Sequence, residues 1–105
     1  MQVLVIGLDG VCFPILDSMS EDGVIPALDD FRERSVAGPL ESQTPPWTPS
    51  AWPSMYTGVN PGKHGVYDFL RFDGYECDVV NRSHVKAFAV WELLSMRGFS
   101  SVVLN

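Results

Sequence analysis

Residues 3–8, Val3-Leu4-Val5-Ile6-Gly7-Leu8, form an unbroken aliphatic and β-branched run that stops at Asp9-Gly10. A run without polar alternation suits a strand buried on both faces, the habit of parallel sheets. Such a strand needs helices on either side, and the chain supplies candidates. Residues 11–19 carry Phe13, Ile15, Leu16 and Met19 at helical spacing, with Pro14 near the start, where a missing amide is tolerated. Pro26 opens a second predicted helix that runs to Arg34, with Leu28 and Phe31 on one face. Residues 36–41 read as a short strand leading into a proline-rich stretch. A helix is expected from Pro49 to about Tyr56, closed by Gly58 and kinked or narrowed to a 3₁₀ turn at Pro53. Asn60-Pro61-Gly62 marks a turn, and residues 75–80 a further strand. Ser83 or His84 begins a helix over residues 87–96, striped by Val90, Leu93 and Leu94 and ended by Gly98. Residues 100–104 form the last predicted strand. The expectation is an α/β fold, a mostly parallel sheet with flanking helices.

Bulk composition narrows the function. With 105 residues the chain suits one domain or part of one, and 46% hydrophobic against 19% charged residues describes a globular rather than a disordered protein. A formal charge of −6 argues against a nucleic-acid polymer as partner. The two cysteines, Cys12 and Cys77, have neither metal-site nor redox spacing and read as buried free thiols. Residues 2–8 are too short for a signal peptide and no stretch reaches the length of a membrane span, so the expected setting is cytoplasmic, with no membrane partner. In open α/β sheets the ligand-binding loops leave the carboxyl ends of strands. A chain that stops at Asn105, directly after its last predicted strand, therefore reads as residues 1–105 of a larger domain, truncated at its carboxyl end. Exposed sheet edges of such a piece favour self-association.

Asp9 and Thr48 are the residues where chemistry is expected. Asp9 follows the first predicted strand at its carboxyl end, where a carboxylate is well placed to hold a cation. Read alone, it is more often the cap of the next helix. Thr48 before Pro49 has the order N-cap then N1, so a simple cap is a strong reading of it too. The same place faces a hydroxyl toward the positive end of a helix dipole, which suits a phosphoryl group. A threonine hydroxyl is a poor nucleophile without a base or metal, and a dinuclear site supplies activation and charge neutralisation together. Lys63 and His64 lie in a glycine-rich loop that lacks Walker A spacing. Lys63 reads more often as solvated than as a phosphate contact, and His64 more often as the maker of a local hydrogen bond than as a metal ligand. Trp47, Trp52 and Trp91 read as core or pocket wall.

Three stretches together carry a family resemblance: Val5-Ile6-Gly7-Leu8-Asp9-Gly10, Ile25-Pro26-Ala27-Leu28, and the long segment Thr44-Pro45-Pro46-Trp47-Thr48-Pro49-Ser50-Ala51-Trp52-Pro53-Ser54-Met55-Tyr56-Thr57-Gly58-Val59-Asn60-Pro61-Gly62-Lys63-His64-Gly65-Val66. They resemble the type I phosphodiesterase/nucleotide pyrophosphatase family of the alkaline phosphatase superfamily. The resemblance implies the amino-terminal part of an alkaline phosphatase-like fold and two divalent metal ions, zinc or manganese. It implies that Asp9 binds one metal, and that Thr48, nine residues before Thr57, is the nucleophile, contacts the metal and forms a phosphothreonine on a small phosphate-ester substrate. His64 matches a motif histidine that is not a metal ligand in the family.

Two departures shape the expectation. Where nucleotide pyrophosphatases carry an Asn that donates to a phosphate oxygen, five residues after the motif histidine, this chain has Phe69. The family's other Asp and His ligands lie well beyond position 105, so residues 1–105 alone are expected to be inactive. The sulfatase branch needs a Cys or Ser in a Pro-Arg motif, and the phosphoglycerate mutase branch a Ser; Thr48 fits neither. The reading is a metal-dependent phosphodiesterase or phosphomonoesterase. Against it stands a non-catalytic α/β interaction domain in which Asp9 and Thr48 are only caps.

Overall fold

A computed structural model describes residues 2–104 of the chain, which divides into two compact units, Met1–Glu41 and Ser42–Asn105. The described residues mix helix and strand, but the mostly parallel sheet does not form. Their one sheet is two-stranded and antiparallel. Residues 3–8, 36–41 and 100–104, all expected as strands, carry no ladder, and Leu4 is 83% exposed. The reason is physical: an apolar run states a need for cover, whereas a strand exists only with a partner to complete its hydrogen bonds.

In the first unit, α1 spans Phe13–Glu21, with Cys12 at the N-cap position and Pro14 in the first turn. It starts two residues later than the spacing suggested, because Pro14 needs to stand among the first helical positions. α2 spans Pro26–Glu33 and takes Pro26 as its first residue. Arg32 of α2 donates to Asp17 of α1 at 2.9 Å and lies over the Phe13 ring at 5.5 Å. Neither helix has a buried residue. This unit therefore has no sealed core: Phe13, Leu16, Ile25 and Leu28 are half-buried, and the polar contacts beside them are worth about 1 kcal/mol each at most.

The second unit contains the core. α3 spans Thr48–Thr57 and ends at Gly58, whose φ of 70° is the left-handed cap that glycine supplies without strain. The helix runs unbroken through Pro53, without the expected 3₁₀ stretch. Pro53 falls early enough that it forfeits a single backbone bond, and the Ser54 hydroxyl adds one back to the Ser50 carbonyl at 2.8 Å. The Asn60-Pro61-Gly62 turn winds into a short helix, α4, Pro61–His64, because the Asn60 side chain accepts from the Lys63 amide at 3.2 Å.

β1, Leu70–Asp73, and β2, Glu76–Val79, pair with Leu70 opposite Val79 and Asp73 opposite Glu76. Gly74 opens the two-residue loop at φ 62°, as tight hairpins demand. The helix expected from Ser83 or His84 is split. Asn81 caps a 3₁₀ turn, Arg82–His84, and α5 begins only at Val90, where Glu92 accepts the Ala89 amide at 2.7 Å. Arg82 bridges the gap with bonds to the carbonyls of Val85 and Ala87, both at 3.1 Å, and an ion pair to Glu92. Val66, Val85 and Ala89 form the small apolar core, with Pro53, Ser50 and His64 buried beside them. Tyr56 and Trp91 pack with ring centroids 5.0 Å apart. Cys12 and Cys77 are free but exposed, which corrects the expectation of buried thiols. No helix among the described residues is long and apolar enough to cross a membrane.

Candidate functional site

The mouth of α3 is built from the segment before it. The Thr44-Pro45 peptide is cis, and the Trp47 amide donates back to the Pro45 carbonyl at 2.9 Å. Trp47 then stands extended at the N-cap position (φ −106°, ψ 135°), and Thr48 is the first helical residue rather than the cap. The Trp47 carbonyl starts the helix by accepting the amides of Ser50 at 3.2 Å and Ala51 at 2.7 Å. Thr48 is half-buried, so its hydroxyl is neither sealed in the core nor set on a bare surface.

Thr48 lines an open depression of about 340 Å³ together with Trp47, Pro49 and Phe69. Three of its four walls are therefore apolar. Trp47 is 53% and Phe69 58% exposed, so both rings remain open to a ligand. Phe69 stands immediately before β1, and its carbonyl accepts the Val80 amide at 2.8 Å, which fixes the backbone there. Trp47 is thus a pocket wall, whereas Trp91 packs against Tyr56.

His64 proves more important to this region than its sequence context indicated. It is fully buried, and the Val66 amide donates to its Nδ1 at 3.2 Å, the local bond expected of it. Its Nε2 lies 3.0 Å from Ser54 Oγ. An acceptor at Nδ1 means that the proton sits on Nε2, so the neutral ring donates toward α3. Burial pushes the imidazole below its ordinary range, opposed by a bond to the Ser50 carbonyl. The nearby sequence signal was Ser50 and Ser54, one turn apart on the helix face toward His64. Lys63 is exposed, as a solvated lysine is.

Asp9 occupies an exposed turn with Gly10, whose φ is 69°. The N-cap position of α1 is Cys12, three residues further on. Among the described residues no three His, Cys, Asp or Glu side chains come together as a metal ion would require.

No curated protein and no solved structure is detectably similar to the chain. The family model of type I phosphodiesterase/nucleotide pyrophosphatase matches residues 3–105, which covers both units and the depression at Thr48. The match extends over nearly the whole chain, and the chain belongs to the type I phosphodiesterase/nucleotide pyrophosphatase family.

Proposed function

We propose that the chain is the amino-terminal portion of a metal-dependent phosphohydrolase that acts on small phosphate esters through a covalent phosphothreonine on Thr48. The supporting observation is the depression at the mouth of α3, which Thr48 lines together with Phe69. Phe69 holds the place of the asparagine that contacts phosphate in nucleotide pyrophosphatases. Two motif positions far apart in sequence thus share one surface, as the family reading requires.

In the reaction, Thr48 Oγ attacks phosphorus; the Oγ–P bond forms while the bond from phosphorus to the leaving oxygen breaks. The alcohol departs, and water then hydrolyses the Oγ–P ester to restore Thr48 and release the phosphate product. A threonine hydroxyl needs activation for this. Asp9 and Thr48 offer a carboxylate and an alcohol oxygen, donors that suit zinc or manganese. Two oxygens do not complete a coordination sphere, and in the family reading further Asp and His ligands complete it. When bound, a pair of such ions neutralises phosphate charge and favours the deprotonated hydroxyl. Phe69 has no donor for a phosphate oxygen, so the proposed activity is that of a phosphodiesterase or phosphomonoesterase, not of a nucleotide pyrophosphatase. Two exposed free thiols suit the reducing cytoplasm.

The test is to incubate the full-length protein with bis(4-nitrophenyl) phosphate and zinc or manganese, then trap the intermediate by acid quench. Mass spectrometry is expected to find a phosphoryl adduct on Thr48, and Thr48→Ala to abolish both adduct and turnover while still binding metal. Undiminished turnover in Thr48→Ala refutes the proposal.

A further inference from the structure

A nucleophilic hydroxyl at a helix mouth is effective only if the first turn holds one orientation, since misplacement by an ångström slows a reaction severely. The first turn of α3 is held in its backbone by the Ser50 and Ala51 amides, both bonded to the Trp47 carbonyl. Beyond these two bonds, Pro49 carries no amide proton and the Trp47 side chain makes no capping bond. A chain of side chains on its buried face adds to that hold.

That chain starts at His64, which is 0% exposed. The ring is fixed from below by the Val66 amide at 3.2 Å, which makes Nε2 the protonated nitrogen. Nε2 donates to Ser54 Oγ at 3.0 Å, and the Ser54 hydroxyl donates to the Ser50 carbonyl at 2.8 Å. Ser50, 2% exposed, donates its hydroxyl to the Trp47 carbonyl at 3.2 Å and accepts from Gln43 Nε2 at 2.7 Å. The Trp47 carbonyl and the Thr48 nitrogen belong to the same planar peptide. Whatever fixes that carbonyl also fixes the backbone from which the Thr48 hydroxyl projects.

We propose that His64 is a positioning residue for Thr48: through Ser54 and Ser50 it locks the Trp47–Thr48 peptide, and with it the direction of the Thr48 hydroxyl. The inference rests on Thr48 being the nucleophile. His64 itself touches no substrate. The backbone reinforces the arrangement, because the Lys86 amide donates to the His64 carbonyl at 2.8 Å and anchors the histidine in the core.

Three variants of the full-length protein separate this role from simple core filling. His64→Asn keeps an acceptor near the Nδ1 position and loses the donor to Ser54. His64→Gln reaches Ser54 with its amide. Ser54→Ala removes the relay and leaves the imidazole in place. Hydrogen exchange at the Ser50 and Ala51 amides is measured beside kcat and KM on bis(4-nitrophenyl) phosphate. His64→Asn and Ser54→Ala are expected to exchange about tenfold faster and to lose about tenfold in kcat at unchanged KM, the effect of one buried hydrogen bond. His64→Gln is expected to recover most of both. Unchanged exchange in Ser54→Ala, or no advantage of His64→Gln over His64→Asn, overturns the proposal. Ser54→Ala decides the matter should His64→Asn fail to fold. Should Thr48→Ala retain turnover, the nucleophile assignment falls, and the exchange data still report whether His64 holds the helix mouth.

Discussion

Replacing Phe69 by asparagine places a hydrogen-bond donor where the Thr48 depression now has an apolar wall. The ring is 58% exposed, and full burial of a phenylalanine is worth about 1.5–3 kcal/mol, so losing its buried part costs about 1 kcal/mol. The Phe69 carbonyl, which accepts the Val80 amide at 2.8 Å, is untouched by the change. Phe69→Asn is therefore expected to fold. A new bond to a charged phosphoryl oxygen contributes about 1.5–3 kcal/mol when well placed. With part of that realised in the transition state, kcat/KM rises about tenfold. The assay is steady-state hydrolysis of bis(4-nitrophenyl) phosphate and 4-nitrophenyl phosphate by the full-length enzyme, with a urea titration alongside. The Thr48→Ala/Phe69→Asn double variant is expected to show no gain. A gain that survives in the double variant, or a fully stable Phe69→Asn with unchanged kcat/KM on both esters, refutes the placement of Phe69 beside the reacting group.

Arg82→Ala is expected to lower the stability of the second unit by about 1.5 kcal/mol in urea unfolding, from the bonds to the Val85 and Ala87 carbonyls. The exposed pair with Glu92 adds little, and Arg82→Lys, which keeps charge but not the fork, is expected to recover only a minor part. Gly65→Ala forces an alanine to φ 81° and is expected to cost about 1–2 kcal/mol, while Gly38→Ala, in open space at ordinary φ, leaves unfolding unchanged. The depressed folded-state affinity of His64 for protons gives stability that is complete above its unfolded value near 6.5 and is lost as pH falls below it. Urea midpoints are accordingly expected to drop from about pH 7 to about pH 5 in the native chain, and His64→Gln to flatten that slope. Glu92, held low chiefly by the Ala89 amide and then by Arg82, extends the loss below its ordinary 4.5.

Features set by neighbours along the chain are legible in the sequence itself. Pro26 opened α2, Gly58 closed α3, and Asn60 announced a turn, since proline, glycine and asparagine act within one turn of themselves. Residues 3–8 show where such reading ends. Their aliphatic character is plain, but a ladder needs a second strand, which a local run does not specify. The late start of α5 has a local cause: Glu92 caps the Ala89 amide, and Arg82 occupies the preceding carbonyls. At the proposed site, the helix start at Thr48 was legible from Pro49 beside it. The buried link from His64 to the helix mouth was not, because it joins α4 to α3 across a loop and depends on which nitrogen carries the proton.

The two prolines of α3 have a consequence for how the region comes apart. A ten-residue helix that lacks amide protons at Pro49 and Pro53 is too short and too poorly bonded to persist alone in water. Its survival is tied to the segment around residues 60–66, so the two melt as one cooperative block. Opening the far glycine loop, even briefly, therefore also loosens the threonine end of the helix.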